Sequence, residues 1–311
     1  MARALIFPGQ GSQTVGMGQA LAEAFPGARE VFEEVDDALG RNLSALMWDG
    51  PMEELTLTAN AQPALMAHSI AMLRVLQKEA GLDVENAMFV AGHSLGEYSA
   101  LCAAGALSLA QTAKLLRTRG EAMQASVPAG EGAMAALIGA DLGTAQKAID
   151  GAKGEGVCEI ANDNAPGQVV ISGAKTRVEA VCAGAKEFGI KMAKLLPVSA
   201  PFHSSLMQPA ADVMAKALEK AEIKAPKLPL VANVTAQEVV APGEIRNLLV
   251  QQVTGRVRWT ESVGYMESKG CDKFVEIGTG KVLAGLVKRI AKEAQMISVG
   301  EPGDIDAFVK F

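Results

Sequence analysis

Ala87-Met-Phe-Val-Ala-Gly-His-Ser-Leu-Gly-Glu-Tyr-Ser-Ala-Leu-Cys-Ala-Ala-Gly-Ala106 is the stretch on which the reading of the fold turns. Residues 87–91 are an unbroken apolar run of strand length, and residues 95–106 have the composition of a helix. Between them, Gly92-His93-Ser94-Leu95-Gly96 matches the G-x-S-x-G pattern in the strand–turn–helix context that the pattern needs. Such an elbow holds Ser94 with Oγ exposed, and glycines at 92 and 96 remove the Cβ atoms that would clash in so tight a turn. The Leu95 N–H then lies at a helix N-terminus, aimed at any oxyanion formed on Ser94.

Outward from the elbow, strand-length apolar runs alternate with longer helical patterns, which predicts a largely parallel sheet flanked by helices. Residues 4–7 predict a first buried strand stopped by Pro8-Gly9, residues 21–39 a helix broken at Pro26-Gly27, and residues 62–79 a helix with Pro63 at its start. The texture changes near residue 129. Strands at 133–138, 157–161, 168–172 and 191–197 interleave with helices at 142–149 and 176–188. That β-α-β-β-α-β order is ferredoxin-like. The expected fold is α/β: an α/β-hydrolase-like larger subdomain with a parallel sheet, residues 1–128 with 200–311, and an inserted ferredoxin-like small subdomain, 129–199.

The composition fits. Of 311 residues, 49% are hydrophobic and 21% charged, enough for a sizeable core and unlike a disordered chain. The net charge of −6, with no run of five basic residues, speaks against a nucleic-acid partner. Cys102, Cys158, Cys182 and Cys271 lie far apart with neither zinc nor disulfide spacing, and read as reduced thiols. No metal is expected. No window approaches about 18 uninterrupted apolar residues and the N-terminus is no signal peptide, so no membrane is expected and the chain reads as cytoplasmic.

A serine hydroxyl needs a base. Of the three histidines, His93 adjoins the nucleophile and its side chain points elsewhere, while His68 falls mid-helix and reads as a packed core residue. His203, in the Pro-interrupted loop Val198-Ser-Ala-Pro-Phe-His-Ser-Ser205 where the chain leaves the insertion, leads by elimination. A third triad member cannot be read from spacing; Asp163 and Asp212 are both open. The 108 residues after His203 argue against an ordinary α/β-hydrolase, which ends soon after its histidine.

Phe7-Pro-Gly-Gln-Gly-Ser-Gln13, Gly92-His-Ser-Leu-Gly-Glu-Tyr98, the Asn162–Gly173 run, Ala200-Pro-Phe-His203 and Val275-Glu-Ile-Gly-Thr-Gly-Lys-Val-Leu283 together resemble the bacterial malonyl-CoA:acyl carrier protein transacylases. The resemblance covers nearly the whole chain in order. It implies that malonyl passes from malonyl-CoA to the phosphopantetheine thiol of an acyl carrier protein through malonyl-Ser94, with no cofactor. Separately from the resemblance, a monomer is expected. The resemblance implies His203 as base, oriented by the backbone carbonyl of Gln252, with Gln251 the one-residue alternative. It makes Gln10 the second oxyanion donor beside Leu95, and Arg119 the fork that reads the malonyl carboxylate, with Arg117 next in line. Phe202 and Asn162 join Gln10 among residues meeting the substrate. Thr279 departs from the family's usual proline and affects only turn stiffness. An acidic carrier calls for a local basic patch, for which Lys288, Arg289, Lys292 and Lys191 are the candidates. Two rivals remain: a serine hydrolase, marked by a carboxylate on His203, and a non-catalytic carrier-binding module, against which Ser94, His203 and Gln10 speak.

Overall fold

The computed structural model describes residues 2–198 and 200–311; Met1 and Ser199, the latter ending the expected insertion, lie outside the described residues. Among the described residues ten strands appear in chain order: β1 Arg3–Phe7, β2 Phe89–Gly92, β3 Gly132–Ile138, β4 Cys158–Ala165, β5 Gln168–Ala174, β6 Met192–Leu195, β7 Leu230–Val231, β8 Glu238–Val239, β9 Lys273–Ile277 and β10 Gln295–Val299. Six form one sheet in the order β10-β9-β1-β2-β7-β8, parallel except for the β7–β8 edge pair.

β1 lies inside this sheet because its side chains are apolar on both faces. Leu5 and Phe7 enter one core cluster, with Ile70 and Leu73 of the helix Thr58–Glu79. Ala4 and Ile6 enter another, with Trp259, Phe274 and Val287. Side chains alternate across a strand, so both faces of the sheet are covered, as parallel sheets require.

The other four strands form an antiparallel sheet in the order β4-β5-β3-β6, the ferredoxin-like order. One face packs Ala135, Leu137, Val169 and Ile171 against the helices Leu142–Gly151 and Lys175–Gly184. The opposite face turns Met134 and Val170 toward the core cluster of the larger body. β4 is stitched to that body: Asp163 N–H donates to Val257 O at 2.9 Å and Val257 N–H to Ala161 O at 2.8 Å.

Some boundaries differ from the sequence expectation. The helix expected over 62–79 runs Thr58–Glu79, with Pro63 inside it. Proline has no N–H for the Ala59 carbonyl, and that carbonyl instead accepts from Arg117 Nη1 at 3.3 Å. The helix expected over 95–106 is Gly96–Ala103. All four cysteines are free, and among the described residues no helix is long and apolar enough to cross a membrane.

Candidate active site

The elbow forms as the sequence requires. β2 ends at Gly92, the helix Gly96–Ala103 begins two residues after Ser94, and Ser94 takes φ 54°, a left-handed conformation rare for a residue with a Cβ. A Cβ on Gly92 would stand 1.9 Å from the Gly96 carbonyl, and one on Gly96 2.3 Å from Phe7 O, so both positions admit only glycine. Asn233 braces the turn from the β7–β8 connection. Its Oδ1 accepts from Ser94 N–H at 2.8 Å and its Nδ2 donates to Gly92 O at 2.7 Å.

Ser94 Oγ meets His203 Nε2 at 2.8 Å. The other ring nitrogen, Nδ1, lies 2.9 Å from Gln252 O and 3.0 Å from Gly255 O. Two carbonyl acceptors fix the tautomer with the proton on Nδ1, leaving Nε2 free to take a proton from serine. The one-residue ambiguity between Gln251 and Gln252 resolves geometrically in favour of Gln252. Neither open carboxylate reaches His203: Asp163 accepts from Thr260 Oγ1 and Asp212 from Gln208. Burial, then the neighbouring Arg119, hold the His203 pKa down at about 3.

Arg119 is a buried guanidinium. Nη1 donates to Gln62 Oε1 at 2.8 Å; Nη2 donates to Gln252 Oε1 at 2.9 Å and to Ser94 Oγ at 3.1 Å. The Tyr98 ring lies under it at 5.7 Å. Arg117, the alternative two residues away, turns to Glu121 and Asn60 at the edge of a different cavity. The remaining histidines are occupied otherwise. His93 is half-buried with Nε2 on Asn164 Oδ1 at 2.8 Å, and burial depresses its pKa. His68 is enclosed in the core, its pKa pushed down to about 4 by burial.

A cavity of about 530 Å³ lies over this cluster. Ser94, His203, Arg119, Leu95, Gln10, Asn162 and Phe202 all line it, and Met134 and Val170 enter it from the small sheet. Gln252 sits behind the wall, fully buried. The N–H groups of Leu95 and Gln10 have no acceptor among the described residues. Among the described residues no group of three or more His, Cys, Asp or Glu is gathered as a metal site.

The basic residues do not converge on the cavity. Lys288 and Lys292 are exposed, and Arg289 is latched to the β4–β5 turn through Gln168 Oε1 at 2.7 Å and Pro166 O. The Lys191 stem lies against Gly139, whose N–H donates to Gly167 O at 2.8 Å, and the Arg289 guanidinium lies against Gly167. Lys191 and Arg289 thus flank one end of the small sheet.

Four contributors escaped the sequence reading: Asn233, Gly255, Gln62 and Asn164. Asn164 falls within the Asn162–Gly173 run but carried no assigned role, and the other three sit in no pattern; each reaches the site over more than fifty residues of chain. Glu97, visible beside the elbow, had no role.

A serine held between a neutral imidazole and a buried cation, with two free N–H groups nearby, is equipped to form and break an acyl-oxygen bond. The family model for the acyl transferase domain matches residues 4–301. The chain belongs to the acyl transferase family. This acyltransferase is 46% identical over 308 residues to the malonyl CoA-acyl carrier protein transacylase of Bacillus subtilis (strain 168), covering 99% of this chain and 96% of that one. The acyl-carrier-protein-S-malonyltransferase crystal structure from Bartonella henselae superposes on it with a TM-score of 0.96 at 55% identity, over 100% of this chain and 99% of that one. A type II PKS acyl-carrier protein has been solved in complex with its malonyl-transacylase, and that structure matches with a TM-score of 0.96 at 42% identity, over 100% of this acyltransferase and 99% of that chain.

Proposed function

We propose that this acyltransferase moves malonyl from malonyl-CoA to the phosphopantetheine thiol of an acyl carrier protein, supplying fatty acid synthesis. The observation that carries the reading is the position of Ser94 Oγ, 2.8 Å from His203 Nε2 and 3.1 Å from Arg119 Nη2. One oxygen faces both a base and a group that recognises carboxylates, which is what an acyl donor ending in a carboxylate calls for. The relatives named above carry the same activity in their names.

In the first half-reaction Ser94 Oγ attacks the thioester carbonyl and its proton passes to His203 Nε2. The oxyanion faces the N–H groups of Leu95 and Gln10. Collapse breaks the C–S bond, and the CoA thiolate leaves with the proton from His203. In the second half the carrier's thiol gives its proton to His203 and attacks the malonyl-serine carbonyl. Ser94 Oγ departs and recovers the proton. Gln252 O and Gly255 O hold the imidazole throughout; being neutral, they stabilise the imidazolium less than a carboxylate would. Arg119 holds the malonyl carboxylate, and Phe202 and Asn162 shape the wall around it. Protons and acyl group are conserved by these residues and the two thiols, so the scheme needs no cofactor.

Two carbonyls on His203 Nδ1, where a hydrolase would place a carboxylate, favour the transferase over the rival hydrolase. The chain acts as a monomer in the cytoplasm, with residues 129–199 an inserted subdomain between 1–128 and 200–311. Lys288, Arg289 and Lys191 receive the acidic carrier. Intact mass after brief mixing with malonyl-CoA, then with holo carrier protein, tests the reading. A malonyl mass gain on Ser94 that vanishes when the carrier is added is expected; a gain lost equally fast to water makes the protein a hydrolase.

A further inference from the structure

Beneath the nucleophile lies a buried carboxylate that the transfer chemistry leaves unused. Glu97 is completely enclosed, and a single oxygen, Oε2, accepts both the Asn233 N–H at 2.9 Å and Gln252 Nε2 at 3.1 Å. Its Oε1 meets no donor among the described residues. Gln252 passes the contact on, since its own Oε1 accepts from Arg119 Nη2 at 2.9 Å. One amide therefore spans a buried carboxylate and a buried guanidinium. Among the described residues no carboxylate lies within ion-pair distance of Arg119. The charged and titratable groups facing Glu97 are Arg119, from the helix Leu109–Ala125, and Tyr98 beside it; the elements carrying Asn233 and Gln252 present only amides.

We propose that Glu97 is the counter-charge of Arg119 in the empty site and takes up one proton when a substrate carboxylate arrives on Arg119. The inference rests on the reading of Arg119 given above. Two carboxylates sharing one desolvated guanidinium cannot both stay ionised at little cost, and the one with an oxygen free of donors accepts the proton. The proton comes from solvent and forms an O–H bond at Oε1, while Oε2 keeps both its donors. Burial already raises the Glu97 pKa to about 7 against the pull of its hydrogen bonds and of Arg119, so the group is poised to respond.

The sign follows. Below about pH 7 Glu97 is already neutral in the empty enzyme, and malonyl binding involves no proton. Above it, binding must recruit one, so malonyl affinity falls as pH rises, by up to about tenfold per pH unit. An acetyl donor has no carboxylate and leaves Glu97 ionised. The ratio of malonyl to acetyl KM isolates the effect, because CoA phosphates and His203 are common to both donors.

Glu97→Gln removes the charge while keeping both hydrogen bonds, because both end on one oxygen. The experiment measures the malonyl-to-acetyl KM ratio from about pH 5.5 to about 8.5 for wild type and Glu97→Gln. In wild type the ratio should be flat below about pH 7 and climb above it; in Glu97→Gln it should stay at the low-pH value throughout, about tenfold below wild type near pH 8. Calorimetry of wild-type acylation in two buffers of different ionisation enthalpy supplies a readout independent of the variant: malonyl should take up more protons than acetyl at pH 8. A wild-type ratio flat through pH 8.5, equal proton uptake for the two donors, or a slope surviving in Glu97→Gln overturns the inference. Arg119→Ala separates the two readings. If it leaves malonyl selectivity intact, the assignment of Arg119 falls; if it abolishes selectivity while the slope survives in Glu97→Gln, the role of Glu97 alone falls.

Discussion

Ser94 Oγ accepts a hydrogen bond from the buried guanidinium of Arg119 at 3.1 Å. A fixed cation therefore stands beside the attacking oxygen before any substrate binds. It helps keep His203 neutral, and its fork is already aimed at the cavity into which the acyl group must extend.

Arg119→Ala should cut malonyl kcat/KM by about a hundredfold or more, the effect of deleting one partner of a buried charge pair. Acetyl transfer should fall far less, because an acetyl donor leaves the guanidinium without a carboxylate. Arg119→Lys should recover little, since a point charge cannot reproduce the contacts to Gln62, Gln252 and Ser94 at once. Specificity constants for both donors with the three forms check this. If malonyl and acetyl fall together, Arg119 only supports the fold.

The base should stay competent in acid. Burial and Arg119 lower the His203 pKa to about 3, so the imidazole is neutral above that value and is lost as a base only as pH falls through it. Acetyl kcat/KM should run flat from about pH 7 to about pH 5, with no limb near the ordinary histidine value of about 6.5. A half-maximal point near 6.5 would show that His203 titrates as an exposed residue does.

Asn233→Ala leaves the Ser94 N–H and the Gly92 carbonyl without their partner. Each orphaned group costs about 1–3 kcal/mol, and the left-handed backbone at Ser94 loses its brace. Denaturant unfolding should register the destabilisation, and single-turnover acylation should show kcat falling more than KM rises. Equal effects on both would mean the cavity itself has collapsed.

Gly92→Ala should fail to fold or unfold at much lower temperature, because its Cβ would sit 1.9 Å from backbone that cannot move aside. Gly243→Ala, in the helix Pro242–Thr254 with open space around the added methyl, should gain about 0.5–1 kcal/mol. Thermal melts of the pair set the two kinds of glycine side by side.

Lys288→Glu and Lys191→Glu should slow transfer to the carrier while sparing Ser94 acylation, with the loss fading at high salt. Arg289→Glu should also lower the melting temperature, because Arg289 ties its helix to the β4–β5 turn through Gln168 and Pro166. Half-reaction rates beside melts distinguish docking from latching. Equal slowing of both half-reactions by Lys288→Glu would remove it from the docking surface.

The sequence by itself determined what depends on neighbours along the chain. The elbow at Gly92–Gly96 was legible because strand, glycine, serine, glycine and helix follow one another, and each makes a local demand on the backbone. The β-α-β-β-α-β order was legible for the same reason, since apolar period and turn residues are local signals. His203 emerged by elimination among three histidines, and family resemblance supplied the roles of Gln252, Gln10 and Arg119. Only the tertiary structure decided what crosses the chain. Gln252 and Gly255 meet His203 Nδ1 about fifty residues away, Asn233 braces a turn well over a hundred residues earlier, and Arg119 rather than Arg117 points into the cavity. Helix phase and sheet packing set which side chain arrives, and hydrogen-bond geometry sets which carbonyl accepts. Glu97 is the plainest case. Its place beside the nucleophile was visible in the sequence, but its burial, its single accepting oxygen and its link through Gln252 to Arg119 exist only once four separate segments have packed together.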